Sequence, residues 1–302
     1  MKGKIIFVLA LIMTAGFIHC HQAHATLNIV TTIGQISNVT KEIGGERVDV
    51  VGLMGPGVDP HLYKATESDV RKLAKADLIF YNGLFLEAKM GDILERMNTS
   101  KRTVPVGEYV DQSVLLDSVN YVGHHDPHIW FDVTLWQQVA KRIEDVLIEE
   151  DPEGKEYYQQ RAVDYQEKLK ELHQYVSNRA AELPDDQRIL VTAHDAFRYF
   201  GQRYNFNVVG LQGISTESQA GTKDVMDLAK FIATKKIKAI FVETSVPERN
   251  IKAVQDAVRA QGWDVKIGGE LFSDAMGDEG SVEGTYIGMV KHNINTIVNA
   301  LK

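Results

Sequence analysis

Between Val133 and Leu183 this chain offers no strand-like segment, while strand-like and helix-like segments alternate on both sides of that stretch. This interruption constrains the fold more than any other feature. Inside it, Val133, Trp136, Ala140, Ile143 and Leu147 keep helical spacing, Asp151 and Pro152 mark a cap and a first-turn proline, and Tyr158, Ala162, Tyr165, Leu169, Leu172 and Val176 resume the spacing. The second run, from Pro152 to about Glu182, predicts a helix of ~45 Å at the usual rise per residue, long enough to join two lobes. Pro184 ends it.

The flanks read as α/β units. On the N-terminal side, LNIVTT (Leu27 to Thr32), Val48 to Leu53, DLIFYNG and RTVPV are strand-like, with helix-like segments from Gln35, from Thr66 and in LEAKMGDILERM; the Thr66 helix should bury Val70, Leu73 and Ala74. On the C-terminal side RILVTAH, NVVGL, KAIFVET and DVKIGGELF alternate with helix-like AFRYFGQRY, Lys223 to Thr234, Pro247 to Gln261 and Glu283 to Leu301. The expected class is α/β: two lobes, each with a mainly parallel sheet flanked by helices, joined by a single long backbone helix. The expected boundaries are a signal peptide over 1–25, a first lobe over 26–132, a helical connector over 133–184 and a second lobe over 185–302.

Lys2 and Lys4, the apolar run Ile5 to Ile18 and the small residues Ala23 to Ala25 form the three zones of a secretory signal peptide, with cleavage expected near Ala25. The apolar run is too short to span a bilayer comfortably. The only cysteine, Cys20, follows His19 where lipid attachment wants a small residue, so anchoring there is not expected. A mature chain without cysteine has neither disulfides nor thiolate ligands. Loss of Lys2 and Lys4 takes the formal charge from -8 to -10, which disfavours nucleic acid as a partner and suits cations.

Open α/β sheets bind ligands at the carboxyl ends of their strands, and four metal-ligating side chains occupy such positions. His61 follows the second strand, His128 the loop after TVPV, His194 ends ILVTAH, and Asp274 comes just past IGGELF. Each lobe supplies two, and a cleft between lobes would gather them. Three imidazoles and a carboxylate suit a borderline divalent ion such as Zn²⁺. Asp-Pro-His occurs twice, at Asp59 to His61 and at Asp126 to His128. Proline removes freedom before the imidazole, and the aspartate can accept backbone N–H groups, so each ring is mounted in advance.

GPGVDPHLYKAT, DPHIWFD, VTAHDAF and IGGELFSDAMG closely resemble motifs of the TroA-like group, the cluster A-I solute-binding proteins of bacterial zinc and manganese ABC importers. The resemblance runs from about Leu27 to the C-terminus. It implies a periplasmic binding protein with metal held between two lobes, and the family's ligands fall on His61, His128, His194 and Asp274. It also implies an integral-membrane ABC permease as partner, with the carrier acting as a monomer. The expected cargo is Zn²⁺, because manganese specialists of the group tend to carry a carboxylate where His194 stands. The long histidine-rich acidic loop of many zinc carriers is missing here, which leaves Mn²⁺ and Fe²⁺ open. A rigid connector helix further implies that the lobes do not swing widely.

A secreted zinc-dependent hydrolase with Asp274 as base is the alternative from another class, and a siderophore or haem binder a third. Four protein ligands argue against catalysis, since a catalytic zinc keeps a position for water. His124 and His125 beside His128 read first as a solvated loop, with an accessory role second. His173 and His292 read as satisfied helix residues, and His19, His21 and His24 are lost with the signal peptide. Glu217 and Glu270 are candidates for orienting the imidazoles from behind.

Overall fold

The computed structural model describes residues 26–118 and 121–302; the expected signal peptide and Cys20 lie outside the described residues. In the first lobe β1 (Leu27–Thr31), β2 (Val48–Gly52), β3 (Leu78–Tyr81) and β4 (Arg102–Pro105) form one parallel sheet in the order β2-β1-β3-β4. Helices α1 (Gly34–Gly44), α2 (Glu67–Lys75) and α3 (Gly91–Asn98) connect these strands. The start of α2 is fixed by a reciprocal cap, in which Thr66 Oγ1 accepts the Asp69 N–H and Asp69 accepts the Thr66 N–H. That cap turns Asp69 inward, where it also accepts the Tyr63 hydroxyl. Leu73 is buried as expected and Val70 partly so, but Ala74 faces solvent, and Ala76 just past the helix is buried instead.

The connector holds two helices, α4 (Val133–Glu150) and α5 (Lys155–Ala180). Pro152–Gly154 forms a 3-10 turn, so the long helix begins three residues later than the sequence suggests. Its 26 residues span ~39 Å. The turn is clamped by Arg47, whose guanidinium fork meets both oxygens of Asp151 at 2.7 and 2.8 Å, while the Tyr158 hydroxyl donates to the same carboxylate at 2.7 Å.

In the second lobe β5 (Ile189–His194) pairs in parallel with β6 (Asn207–Gln212), and β7 (Ala239–Glu243) in parallel with β8 (Lys266–Leu271); β5 and β7 lie side by side. Helices α6 (Arg198–Tyr204), α7 (Thr222–Lys235), α8 (Arg249–Ala260) and α9 (Tyr286–Leu301) complete it. The β7–β8 register slips between Ile240 and Val242. Gly268 and Gly269 make this possible: Gly269 has φ of +138°, and a Cβ there would meet Thr296 Cγ2 at 2.6 Å. Beyond the slip Leu271 pairs with Glu243, so the Asp274 segment leaves β8 beside the end of β7.

Helix α5 packs on α1 and α4 on one side and on α6 and α9 on the other. One hydrophobic cluster therefore runs from the first sheet through α4, α5 and α9 to one face of the two strand pairs of the second lobe, reaching Leu190, Ala239, Phe241 and Leu271. A second cluster covers the opposite face, where Val191, Ala193, Ile240 and Val242 meet α7 and α8. The two sets alternate along β5 and β7, as side chains on a strand must.

Candidate metal centre

The four residues selected from the sequence meet in the seam between the lobes, all buried, with one ligand atom from each lying within 4.8 Å of the others. His61 Nε2 and His128 Nε2 are 3.3 Å apart. Asp274 Oδ1 is 3.4 Å from His128 Nε2, and Oδ2 is 3.2 Å from His194 Nε2 and 3.7 Å from His61 Nε2. Donors ~2.0 to 2.1 Å from a tetrahedral Zn²⁺ stand about 3.3 to 3.4 Å from one another. The spacing fits such an ion. Moreover, His194 Nε2 and both Asp274 oxygens are buried without a hydrogen bond. Buried polar atoms ordinarily find partners, and this group is complementary to a cation at its centre.

Each imidazole is held by a different device. The two Asp-Pro-His turns work as expected at the backbone: Asp59 Oδ1 accepts His61 N–H at 2.9 Å, and Asp126 Oδ1 accepts His128 N–H at 3.1 Å. They then diverge. Asp126 Oδ1 also lies 2.7 Å from His128 Nδ1, whereas Asp59 Oδ2 accepts the Thr216 hydroxyl from the other lobe at 2.5 Å. His194 is backed by Glu243 at the end of the neighbouring strand, with Oε2 2.5 Å from Nδ1. A carboxylate behind a metal-facing imidazole fixes its tautomer and strengthens it as a donor.

These partners set the charge of the site. Burial pushes His61 down to about 3, so it stays neutral. Burial also disfavours charge on His128, but the facing Asp126 outweighs it and lifts the ring to about 9. His194 is raised well above the ordinary imidazole range, with burial opposed by Glu243 and then Asp274. Asp274 is held well below the carboxylate range despite burial, chiefly by His194.

Sequence reasoning placed the supporting carboxylates wrongly. Glu270 is exposed on β8, one position before buried Leu271, and so faces away from the site. Glu217 stands at the mouth of the seam, paired with Lys89 and 3.4 Å from the Tyr121 hydroxyl. Asp126 and Glu243 fill the role instead. His124 and His125 line a narrow pocket that reaches His61, with the His124 ring 4.4 Å from Phe85. His173 meets the Tyr204 hydroxyl at 3.2 Å, and His292 meets the Glu270 carbonyl at 3.0 Å, so both are satisfied locally.

Residues 29–300 match the family model described as the periplasmic zinc-uptake complex component A, ZnuA. This chain belongs to the ZnuA family. The zinc-binding protein TroA of Treponema pallidum is 50% identical over 301 residues, covering 97% of this chain and 96% of the relative. Its solved structure matches with a TM-score of 0.90, covering 92% of this chain and 99% of that one. The manganese-binding lipoprotein MntA of Bacillus subtilis is 44% identical over 280 residues, covering 93% and 91%. The Fe(III)-bound structure of YtgA from Chlamydia trachomatis matches with a TM-score of 0.82 at 25% identity, covering 91% and 98%. As a ZnuA-family member the chain is an extracytoplasmic metal-binding component of an importer and not an enzyme, and the hydrolase alternative is set aside.

Proposed function

We propose that this ZnuA-family protein captures a single divalent transition metal, Zn²⁺ in the first place, through His61, His128, His194 and Asp274, and delivers it to the permease of an ABC importer. The observation that carries the reading is the set of buried, unpaired atoms, His194 Nε2 and both Asp274 oxygens, facing two further imidazole nitrogens. Zinc is favoured by the three imidazoles and the tetrahedral spacing, and the relative that is half identical is a zinc-binding protein. Manganese is the second reading, supported by the 44% identical manganese-binding relative. Because Mn²⁺ stands well below Zn²⁺ in intrinsic affinity, binding in a tube cannot choose between them by strength alone.

The mature form we propose starts near Thr26 and is free in the periplasm rather than lipid-anchored at Cys20. It comprises a first lobe over 26–132, a connector over 133–184 and a second lobe over 185–302, and acts as a monomer. The test is elemental analysis of protein taken from its native compartment, with growth metal controlled, beside titration of metal-stripped protein with Zn²⁺ and Mn²⁺. One metal per chain, lost in His61→Ala and His194→Ala, is the expected result. Undiminished binding in both variants would overturn the assignment, and an intact mass that includes lipid would overturn the free form.

A further inference from the structure

Asp274 lies three residues past β8 and belongs to no regular element. Its own lobe secures the residues just before it. Asn293 of α9 accepts from Phe272 N–H at 3.0 Å and donates to the Phe272 carbonyl at 2.7 Å, and the Ser245 and Ser273 hydroxyls lie 2.9 Å apart. The next carbonyls face the other lobe. The Trp130 indole N–H donates to Ser273 O at 3.0 Å, and the Gln35 amide donates to Asp274 O at 3.3 Å while lying 3.5 Å from Ser273 O. Trp130 and Gln35 are both fully buried.

Neither donor is an incidental neighbour. Trp130 stands two residues after His128 and sets its ring against that imidazole, with centroids 5.2 Å apart; its own carbonyl accepts the Tyr286 hydroxyl at 2.8 Å. Gln35 occupies the first turn of α1, at the end of β1. The Asp274 oxygens face the three imidazole nitrogens at 3.2 to 3.7 Å, and the carbonyls of the segment that carries them accept hydrogen bonds from the opposite lobe.

We propose that Trp130 and Gln35 are positioning residues that hold Asp274 in place as the fourth metal ligand from across the seam, so that the site is complete only while the lobes touch. The inference rests on the four-ligand reading above. Separation on the order of 1 Å breaks hydrogen bonds of this length and strands two buried carbonyls. Asp274 is then the first ligand to loosen, and the three imidazoles keep the metal in a shallower, exchangeable state.

The test uses Co²⁺ as probe, because its visible absorption reports ligand number and geometry, with release timed against excess chelator. Trp130→Phe keeps the ring beside His128 and removes only the N–H, Gln35→Met removes the amide at similar length, and Ser245→Ala removes a contact to Ser273 made within the second lobe. Asp274→Asn supplies the reference spectrum. Trp130→Phe and Gln35→Met should each release Co²⁺ about ten- to a hundredfold faster, and the double variant's spectrum should move toward that of Asp274→Asn. Ser245→Ala should stay near wild type. A double variant with wild-type spectrum and release rate overturns the proposal, as does Ser245→Ala matching its effect. Should one variant fail to fold by circular dichroism, the other carries the comparison. A wild-type protein that does not take up one Co²⁺ per chain, or an Asp274→Asn spectrum identical to wild type, brings down the four-ligand reading first, and this proposal with it.

Discussion

A single carboxylate, Glu243, grips His194 twice: Oε1 accepts the His194 backbone N–H at 2.9 Å and Oε2 lies 2.5 Å from ring Nδ1. Backbone and ring of the ligand are thereby locked to the adjacent strand. Glu243→Gln keeps the shape and removes the charge that strengthens the imidazole. Metal affinity should fall about ten- to a hundredfold, measured by competition with a chelator of known strength, while secondary structure is unchanged. Wild-type affinity in this variant would mean the carboxylate only shapes the fold.

Two histidines of very different setting provide a direct comparison. His194 faces the other three candidate ligands, whereas the His173 ring on α5 meets the Tyr204 hydroxyl at 3.2 Å. His194→Ala should weaken metal binding at least a hundredfold, since first ligands matter more than their supports, and His173→Ala should leave the isotherm in place. Similar losses in both would count against the assignment.

Proton release should accompany capture. In the metal-free site His128, lifted to about 9, and His194, raised well above the ordinary range, carry protons at neutral pH, while His61, pushed down to about 3, does not. Metal requires neutral rings. The sign follows: affinity rises with pH through the range in which His128 and His194 lose their protons, and declines steadily below it instead of collapsing near ~6.5 as for unperturbed imidazoles. At pH 7 a weakly buffered titration should register about two protons per metal. Absence of any release would contradict this charge assignment.

Arg47 and Asp151 form a nearly buried bidentate pair with side chains 7% and 14% exposed. Removing one partner leaves the other charge unpaired, so Asp151→Ala should cost about 3–5 kcal/mol, read from urea denaturation. The Arg47 hydrogen bond lowers the Asp151 carboxyl below its ordinary range. Its contribution is therefore present above the unfolded-state value and is lost as pH falls through the folded one. Metal affinity of the folded fraction should not change, because the pair lies at the start of α5, away from the seam.

The two-lobe plan and the four candidate ligands were readable because both follow from local rules. Parallel strands end where their sheet binds, proline before histidine mounts a ring, and a strand-free helical stretch must connect something. The supporting carboxylates were not readable in that way. Glu243 lies 49 residues from His194, joined to it only by the adjacency of β5 and β7, which no spacing announces. Glu270 is a candidate by residue type for orienting the imidazoles, yet strand alternation turns it outward. Asp126 had a visible role toward the backbone, and its second contact, to the ring of His128, depends on a rotamer. Gln35 reads as an ordinary residue of a helix-like segment and Trp130 as part of the DPHIWFD stretch, and neither shows its reach toward Asp274 until the lobes are brought together.

The hydrophobic cluster that passes from the first sheet through α5 to one face of the strand pairs of the second lobe gives the two lobes a common interior. Heat should consequently melt them as one calorimetric unit, with no half-molten species in which one sheet outlives the other. Ligand energy deposited at the seam is then shared by the entire chain, so cargo raises the melting temperature of every probe together. Such a body shares one interior between its lobes, and unloading it is work for whatever pries at the loops around the ion.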